Sequence, residues 1–301
     1  MKYVVGIGEA LWDHFVQEDI YKLGGAPANF AYHAGQFGLD SYVISAIGDD
    51  KLGHGIVENF DKVGLKHILP IVDYPTGEVL VTKENGQPSY EICLGAAWDN
   101  IPLTDQMLEL ARNAKAICFG SLAQRTQTSH DTIQAFLDAA PEDALRVFDI
   151  NLRQTWYTNE VIIESLNRAH ILKINDDELD VVANRLLNEP VEKGNLIARD
   201  PEKTRRVCRA LIAKYDLQMV ILTCGEVCSY VFTASEESYM PTPKVELEDA
   251  VGAGDSFTAT FVAQTLLGKS IREAHEKAVK VAAYVCTQAG AMPVLPDELK
   301  E

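Results

Sequence analysis

Residues 249–257, Asp-Ala-Val-Gly-Ala-Gly-Asp-Ser-Phe, combine residue types that could bind a phosphate group and accept a proton. Gly252, Ala253 and Gly254 are consecutive small residues, and an uncharged run with apolar residues near helical spacing follows at 256–267. The first amides of a helix lack internal partners and lie at the positive end of its dipole, so small residues there leave room for an anion. The stretch predicts a tight turn that opens a buried helix.

Asp255 directly follows this turn. A carboxylate beside an anion-binding turn is suited to act as general base for a hydroxyl group that attacks a phosphoryl group. The alternative is a plain glycine turn whose acid only favours the helix dipole, and this stretch alone does not separate the two interpretations.

The chain alternates apolar strand-like runs with amphipathic helical runs, which is typical of a mostly parallel sheet covered by helices. Strands are predicted at 3–7, 42–47, 116–119, 146–150, 171–174, 219–222 and 230–233. Helices are predicted at 28–37, 53–63, 105–113, 129–139, 160–168, 177–187, 201–215 and 271–287, besides 256–267. Glycine or polar residues follow most of these strands, and the carboxyl ends of parallel strands form the usual ligand crevice.

Three further groups of residues suit such a crevice. Gly24 and Gly25 permit close backbone approach before a helix, and the amide of Asn29 can donate to and accept from a hydroxyl group. The spacing Asn175-x-x-Glu178 could orient a hydrated Mg²⁺, or it could cap a helix. Arg153 suits a phosphoryl group, with an ordinary ion pair as its alternative.

Two segments, at about 14–23 and 74–97, interrupt the alternation. The second contains short β-like runs at 78–82 and 89–93 around an Asn85-Gly86 turn. Together they predict a small antiparallel sheet inserted in a single domain that spans 1–301. Such a sheet could close over a ligand as a lid or form an oligomer surface, and the two roles are compatible.

Composition excludes several classes of protein. The 301 residues carry a net charge of −17, which argues against general affinity for nucleic acid or anionic membranes. No leader-like or membrane-spanning stretch is evident, and six scattered cysteines predict reduced thiols in the cytoplasm. Gly6-x-Gly8 lacks the third glycine of a dinucleotide site, and the P-loop pattern is absent from the sequence.

Three ordered motifs together resemble the PfkB-type carbohydrate kinases of the ribokinase superfamily, and the resemblance covers essentially the whole chain. They are the N-terminal pattern Gly24-Gly25, Pro27, Asn29, Ala31, Gly38 and Gly48, the run Asn175-Asp176-Asp177-Glu178, and the C-terminal run from Asp249 to Phe257. The resemblance implies a ribokinase-like α/β fold: a mostly parallel central sheet with helices on both faces and a small antiparallel β lid.

The resemblance also implies roles for individual residues. Asp255 would be the catalytic base, with Gly252, Ala253 and Gly254 as the anion hole and Arg153 on the phosphoryl group. The remaining implied sites are the sugar site at Asp13, Gly24, Gly25, Asn29 and Gln124; the ATP site at Asn175, Glu178, Thr223, Gly225 and Gly290, with Asn175 and Glu178 holding Mg²⁺ through water; and a K⁺ site at Asp249 and Val251.

Residues 8–13, 24–31 and 95–99 resemble the fructokinase branch of that family. We therefore expect phosphorylation of D-fructose at its 6-hydroxyl by ATP, in a homodimer formed through the lid. The alternatives are a kinase for ribose, ketodeoxygluconate or a nucleoside, and a sugar-sensing protein that kept the fold without the chemistry.

Overall fold

A nine-stranded sheet forms the centre of the protein. The structure is a computed structural model that describes residues 3–84, 87–187 and 200–301. In the order of the sheet its strands are β15 (Glu237–Pro241), β14 (Cys228–Phe232), β13 (Met219–Cys224), β12 (Ile171–Asn175), β11 (Leu145–Asp149), β10 (Ala114–Gly120), β1 (Tyr3–Ile7), β4 (Asp40–Ile44) and β6 (Lys66–Ile68). From β13 to β6 every neighbouring pair is parallel, and β14 and β15 add antiparallel strands at one edge.

Helices cover both faces of this sheet, as the sequence predicts. They are α1 (Ala26–Gly35), α2 (Lys51–Lys62), α3 (Asp105–Arg112), α4 (Gln127–Ala139), α5 (Asn159–Arg168), α6 (Asp176–Leu187), α7 (Pro201–Tyr215), α8 (Ala253–Leu266), α9 (Ile271–Val285) and α10 (Asp297–Lys300). Within the described ranges, none of these helices has the length and apolar character needed to cross a membrane.

Strand periodicity divides the apolar side chains between two cores. Val4 belongs to the hydrophobic cluster that contains apolar residues of α1, α8 and α9 on one face. Its neighbour Val5 belongs to the cluster that contains apolar residues of α3 to α7 on the other face. The same alternation holds in β11, where Val147 and Phe148 point to opposite faces. Parallel strands buried on both faces therefore fix which side chains at the strand ends face α8.

The predicted small sheet contains two antiparallel hairpins, of which the sequence predicts one, with strands at 78–82 and 89–93. One is β2 (Leu11–Phe15) with β3 (Ile20–Gly24), and the other is β8 (Gly77–Glu84) with β9 (Gln87–Ile92). β2 and β8 pair in parallel, so the hairpins join into a mixed sheet, and the first strand begins earlier than 14. The predicted Asn85-Gly86 turn lies outside the described residues.

Most predicted elements are confirmed within a few residues of their bounds. The run at 42–47 was predicted as one strand, but the chain leaves the main sheet after Ile44 and forms a second short strand, β5 (Ile47–Gly48), which pairs with β7 (Ile71–Val72). The six cysteines are free, as predicted.

Close contact between β1 and α1 sets the position of the helix. A Cβ atom on Gly6 would lie 2.1 Å from the carbonyl oxygen of Pro27 in α1, well inside van der Waals contact. Glycine at this position therefore lets α1 lie directly against the sheet.

We predict that Gly6→Ala lowers the free energy of unfolding by about 1–3 kcal/mol, the usual cost of an overpacked site, and also lowers turnover because α1 must move. Gly55→Ala is the matched control, since a Cβ there would meet only the ring of Trp12, at 3.3 Å; it should change stability by less than about 1 kcal/mol. Chemical denaturation measures both variants. Equal stability of the two would contradict the packing argument.

Candidate active site

The start of α8 adopts the tight turn that the sequence predicts. Gly252 precedes the helix with φ 78°, and a Cβ there would lie 2.7 Å from the Cβ of Ala291. The amides of Gly254 and Asp255 belong to the first helical turn, where an amide has no acceptor within its own helix. The geometry therefore fits an anion, and we call residues 252–254 the anion-hole turn.

Asp255 lies at this helix start beside Asn29 of α1. The Nδ2 atom of Asn29 donates to Oδ2 of Asp255 over 2.7 Å. Asn29 is 2% exposed, and its Oδ1 atom is buried without a hydrogen-bond partner in the part of the chain that the structure describes. A buried acceptor of this kind is costly unless a ligand donates to it, so Asn29 fits a bound hydroxyl group.

The surroundings of Asp255 favour the protonated carboxyl group. The side chain is partly exposed, but its carboxyl is enclosed by protein, and this desolvation raises its pKa to about 6. The carboxylate of Asp149 raises the pKa further, while Asn29, Lys173 and Arg153 lower it. A pKa just below neutral suits a general base.

Glu9 is a second perturbed acid, immediately after β1. It is 4% exposed, its Oε2 atom has no hydrogen-bond partner among the described residues, and burial raises its pKa to about 7. A cavity of ≈ 10 Å³ lies between Glu9, Asp149 and Asp255. This volume is close to the room that one water molecule requires.

The predicted sugar residues Asp13, Gly24 and Gly25 lie together. A Cβ on Gly24 would be 2.9 Å from Oδ2 of Asp13, and a Cβ on Gly25 would be 2.5 Å from the carbonyl oxygen of Glu9. Burial raises the pKa of Asp13, against the lowering effect of Arg153 and Lys22. A side chain at either position would clash, so each glycine lets the backbone approach a neighbouring polar group closely.

Gln124 has a different environment. Its amide nitrogen donates to Gly120 and Ser165, and its oxygen accepts from Gln134. The side chain is 3% exposed, and each of its polar atoms has a partner inside the protein. These contacts occupy its amide group with protein partners, and Gln124 does not line the small cavity beside Asp255.

Arg153 is exposed, in the loop between β11 and α5. Its Nη1 atom donates to the neighbouring carbonyl of Leu152 over 3.3 Å, and its charge lowers the pKa values of Glu9, Asp13 and Asp255. The guanidinium group is therefore near the acids of the site and accessible to an anionic ligand.

Asn175 and Glu178 form a capping box at the start of α6. Oδ1 of Asn175 accepts from the amide of Glu178 over 2.8 Å, and the two carboxylate oxygens of Glu178 accept from the amides of Asn175 and Leu152. The capping alternative is therefore present in the structure. Within the described residues no cluster of three or more His, Cys, Asp or Glu side chains could hold a metal ion. The fit to Mg²⁺ is limited to contacts through water.

Thr223 and Gly225, two of the predicted ATP residues, lie at the same sheet edge as Asn175. Thr223 of β13 pairs with Asn175 of β12, and Gly225 follows in an exposed turn with φ 51°. Gly290, with φ 78°, is near Asp249, because its amide hydrogen bonds to that carboxylate.

The predicted K⁺ residues Asp249 and Val251 are joined by a hydrogen bond. Oδ1 of Asp249 accepts from the amide of Val251 over 3.0 Å, while Oδ2 lies 3.3 Å from Nζ of Lys22 in β3. Lys22 thus forms a partly exposed ion pair with this carboxylate. It also connects the small sheet to the segment that precedes the anion-hole turn.

Sequence reasoning assigned no role to Glu9, Asp149 or Lys173. The predicted strand at 146–150 places Asp149 in its interior, whereas β11 ends at this residue. Lys173 lies inside an apolar strand run. That position is the one signal in the sequence that could have revealed a buried charged pair, because a cation in a buried strand requires a charged or polar partner.

Comparison with known proteins identifies the class of this site. The family described as "pfkB family carbohydrate kinase" matches residues 12–298. An ATP-dependent 6-phosphofructokinase of Thermoanaerobacterium thermosaccharolyticum is 27% identical over 98% of this chain and 91% of its own length. A probable fructokinase-2 of Arabidopsis thaliana is 26% identical over 98% and 93%, respectively. The structure of a fructokinase with bound ATP from Xylella fastidiosa shares the fold, with a TM-score of 0.83, 20% identity and coverage of 99% and 96%.

We predict that Glu9→Gln stabilises the protein at alkaline pH. The pKa of Glu9 is raised to about 7 by burial, from 4.5, so the wild-type carboxyl contributes full stability below about pH 4.5 and loses it as pH rises through about 7. At pH 8 the variant should gain on the order of 3 kcal/mol in unfolding free energy, and the gain should shrink at acid pH. Denaturation at both pH values, with exposed Glu58→Gln as control, measures it; a pH-independent difference would refute the burial effect.

Proposed function

Because the chain belongs to the pfkB family of carbohydrate kinases, we propose that it transfers the γ-phosphoryl group of ATP to the 6-hydroxyl of D-fructose. Family membership makes the chain an ATP-dependent sugar kinase. The identity of the acceptor and the roles of individual residues are the proposal.

The observation that carries the proposal is the position of the Asp255 carboxylate. It stands at the first turn of α8, beside the anion-hole turn, and is held by Asn29. A base and a phosphate-binding turn are thus fixed next to each other, and phosphoryl transfer depends mainly on such alignment and on stabilisation of negative charge.

In the proposed reaction, Asp255 accepts the proton of the sugar 6-hydroxyl while the hydroxyl oxygen forms a bond to the γ-phosphorus of ATP. The bond between that phosphorus and the oxygen shared with the β-phosphate breaks, and ADP leaves with the electron pair. The anion-hole amides and Arg153 stabilise the charge on the transferred group. Bound Mg²⁺, held through water by Asn175 and Glu178, would neutralise the phosphates of ATP.

The sugar would bind between Asp13 and Asn29. The Oδ1 atom of Asn29, unpartnered among the described residues, supplies an acceptor for a hydroxyl, and Gly24 lets the backbone lie close to the carboxylate of Asp13. Support for fructose comes from the fructokinase-like segments 8–13, 24–31 and 95–99 and from the fructokinase among the relatives. A relative named as a 6-phosphofructokinase makes fructose 6-phosphate a second candidate acceptor.

Three further properties belong to the proposal. The small sheet acts as a lid and as the contact surface of a cytoplasmic homodimer, and the exposed apolar side chains of Ile20, Tyr21 and Tyr90 on its strands favour such contact. K⁺ binds near Asp249 and Val251. Sedimentation velocity tests the homodimer, and the dependence of turnover on added K⁺ tests the cation site.

We predict that Asp255→Asn lowers kcat by about two powers of ten or more, because the amide cannot accept the proton. Binding of ATP and sugar should change by less than about threefold, since the side chain keeps its shape and its contact with Asn29. Asp131→Asn, an exposed acid on α4, is the control. Near wild-type turnover by Asp255→Asn would remove the base assignment.

The acceptor is tested by measuring ADP release with Mg·ATP and a panel of fructose, fructose 6-phosphate, ribose, glucose, ketodeoxygluconate and nucleosides. We expect fructose to give the highest kcat/KM. Preference for another acceptor would keep the kinase and refute the fructose pocket. A sugar that raised the melting temperature without any turnover would instead support a sensor.

A further inference from the structure

Lys173 and Asp149 form a charged pair behind the anion-hole turn. In β12, Ile171 faces the core beneath α8, and Lys173 two residues later faces the same side; in β11, Val147 and Asp149 have the same relation. On this face of the sheet, an apolar residue in each strand is thus followed by a charged one, Lys173 in β12 and Asp149 in β11, near the start of α8.

The pair is buried and in direct contact. Nζ of Lys173 lies 3.3 Å from Oδ1 of Asp149, and the two side chains are 10% and 7% exposed. A buried ammonium group of this kind is costly to desolvate and is retained only where its charge is compensated. The wild-type sequence keeps it inside an otherwise apolar strand, Ile-Leu-Lys-Ile-Asn.

The anion-hole turn packs directly on this lysine. A Cβ on Gly254 would lie 3.1 Å from Nζ of Lys173 and 3.8 Å from its Cε. A side chain at residue 254 would therefore press against the ammonium group. The glycine thus brings the backbone of the turn close to a fixed positive charge.

The local charge balance explains why a cation is needed there. Glu9, Asp149 and Glu178 are buried carboxylic acids close to Asp255 or Lys173, and a phosphoryl group would add further negative charge. The ammonium group of Lys173, 3.3 Å from Oδ1 of Asp149, offsets part of this repulsion.

We propose that Lys173, held by Asp149, is a positioning residue for phosphoryl transfer: its buried ammonium group supports the anion-hole turn from behind and offsets the carboxylates around the transferred phosphate. This inference rests on the proposed function of the same site. Lys173 acts through the turn and through Asp255 rather than by touching the sugar, so its loss should lower kcat much more than it raises the KM for the sugar.

The test is chemical rescue of Lys173→Ala. Loss of the ammonium group should lower kcat by about 100-fold or more. Truncation leaves space for a small cation, so added methylammonium should raise the kcat of the variant at least about tenfold. The matched control is Lys214→Ala in α7, a lysine whose Nζ donates to the carbonyl oxygen of Leu186. It should keep wild-type kcat and show no response to the amine.

A double variant, Lys173→Met with Asp149→Asn, separates catalysis from folding. It removes both buried charges, so its melting temperature should recover relative to Lys173→Ala. We expect its kcat to remain at least about 100-fold below that of the wild type. Recovery of kcat together with stability, or an alanine variant as active as Lys214→Ala, would overturn the positioning role.

The same assays distinguish this inference from the proposed function. Wild-type turnover that depends on Asp255 but not on Lys173 would refute only the role of Lys173. Absence of turnover by the wild-type protein with every acceptor would refute the proposed function and this inference with it.

Discussion

The hydrogen bond between Asn29 and Asp255 joins two helices whose starts must lie within a side chain's reach of each other. α1 can come this close because Gly6 leaves room for Pro27, and α8 because Gly252 leaves room for Ala291. The parallel sheet beneath them brings its strand ends to the same point. Backbone packing therefore places together the carboxylate that we propose as base, the amide of Asn29 and the turn that we propose as anion site.

Electrostatic compensation is the second constraint on this site. Several acids gather around the helix start in a protein that is already strongly acidic, and burial raises the pKa values of Glu9 and Asp255. Lys173 from inside and Arg153 from the loop oppose that effect. A general base requires this balance, because a carboxylate without nearby cations would hold its proton at neutral pH and one fully exposed would be too weak to take it.

The sequence was sufficient for the alternation of strands and helices, for the turn before Asp255 and for the pairing of the motifs with strand ends, since these depend on local periodicity and on glycine. It was insufficient where long-range contacts decide. Gln124 is committed to Gly120, Ser165 and Gln134, and Glu178 to two backbone amides, which no spacing reveals. The parallel pairing of β2 with β8 and the facing of Lys173 toward α8 also depend on tertiary packing.

The central claim is that Asp255 is the general base of this site. The pH dependence of kcat/KM for the preferred sugar tests it most directly. With a pKa of about 6, the account predicts that kcat/KM is level near pH 8 and falls about tenfold per pH unit below about pH 6, and that the small residual activity of Asp255→Asn lacks this acid limb. A wild-type profile that stays level down to pH 5, or an unchanged acid limb in the variant, would contradict it.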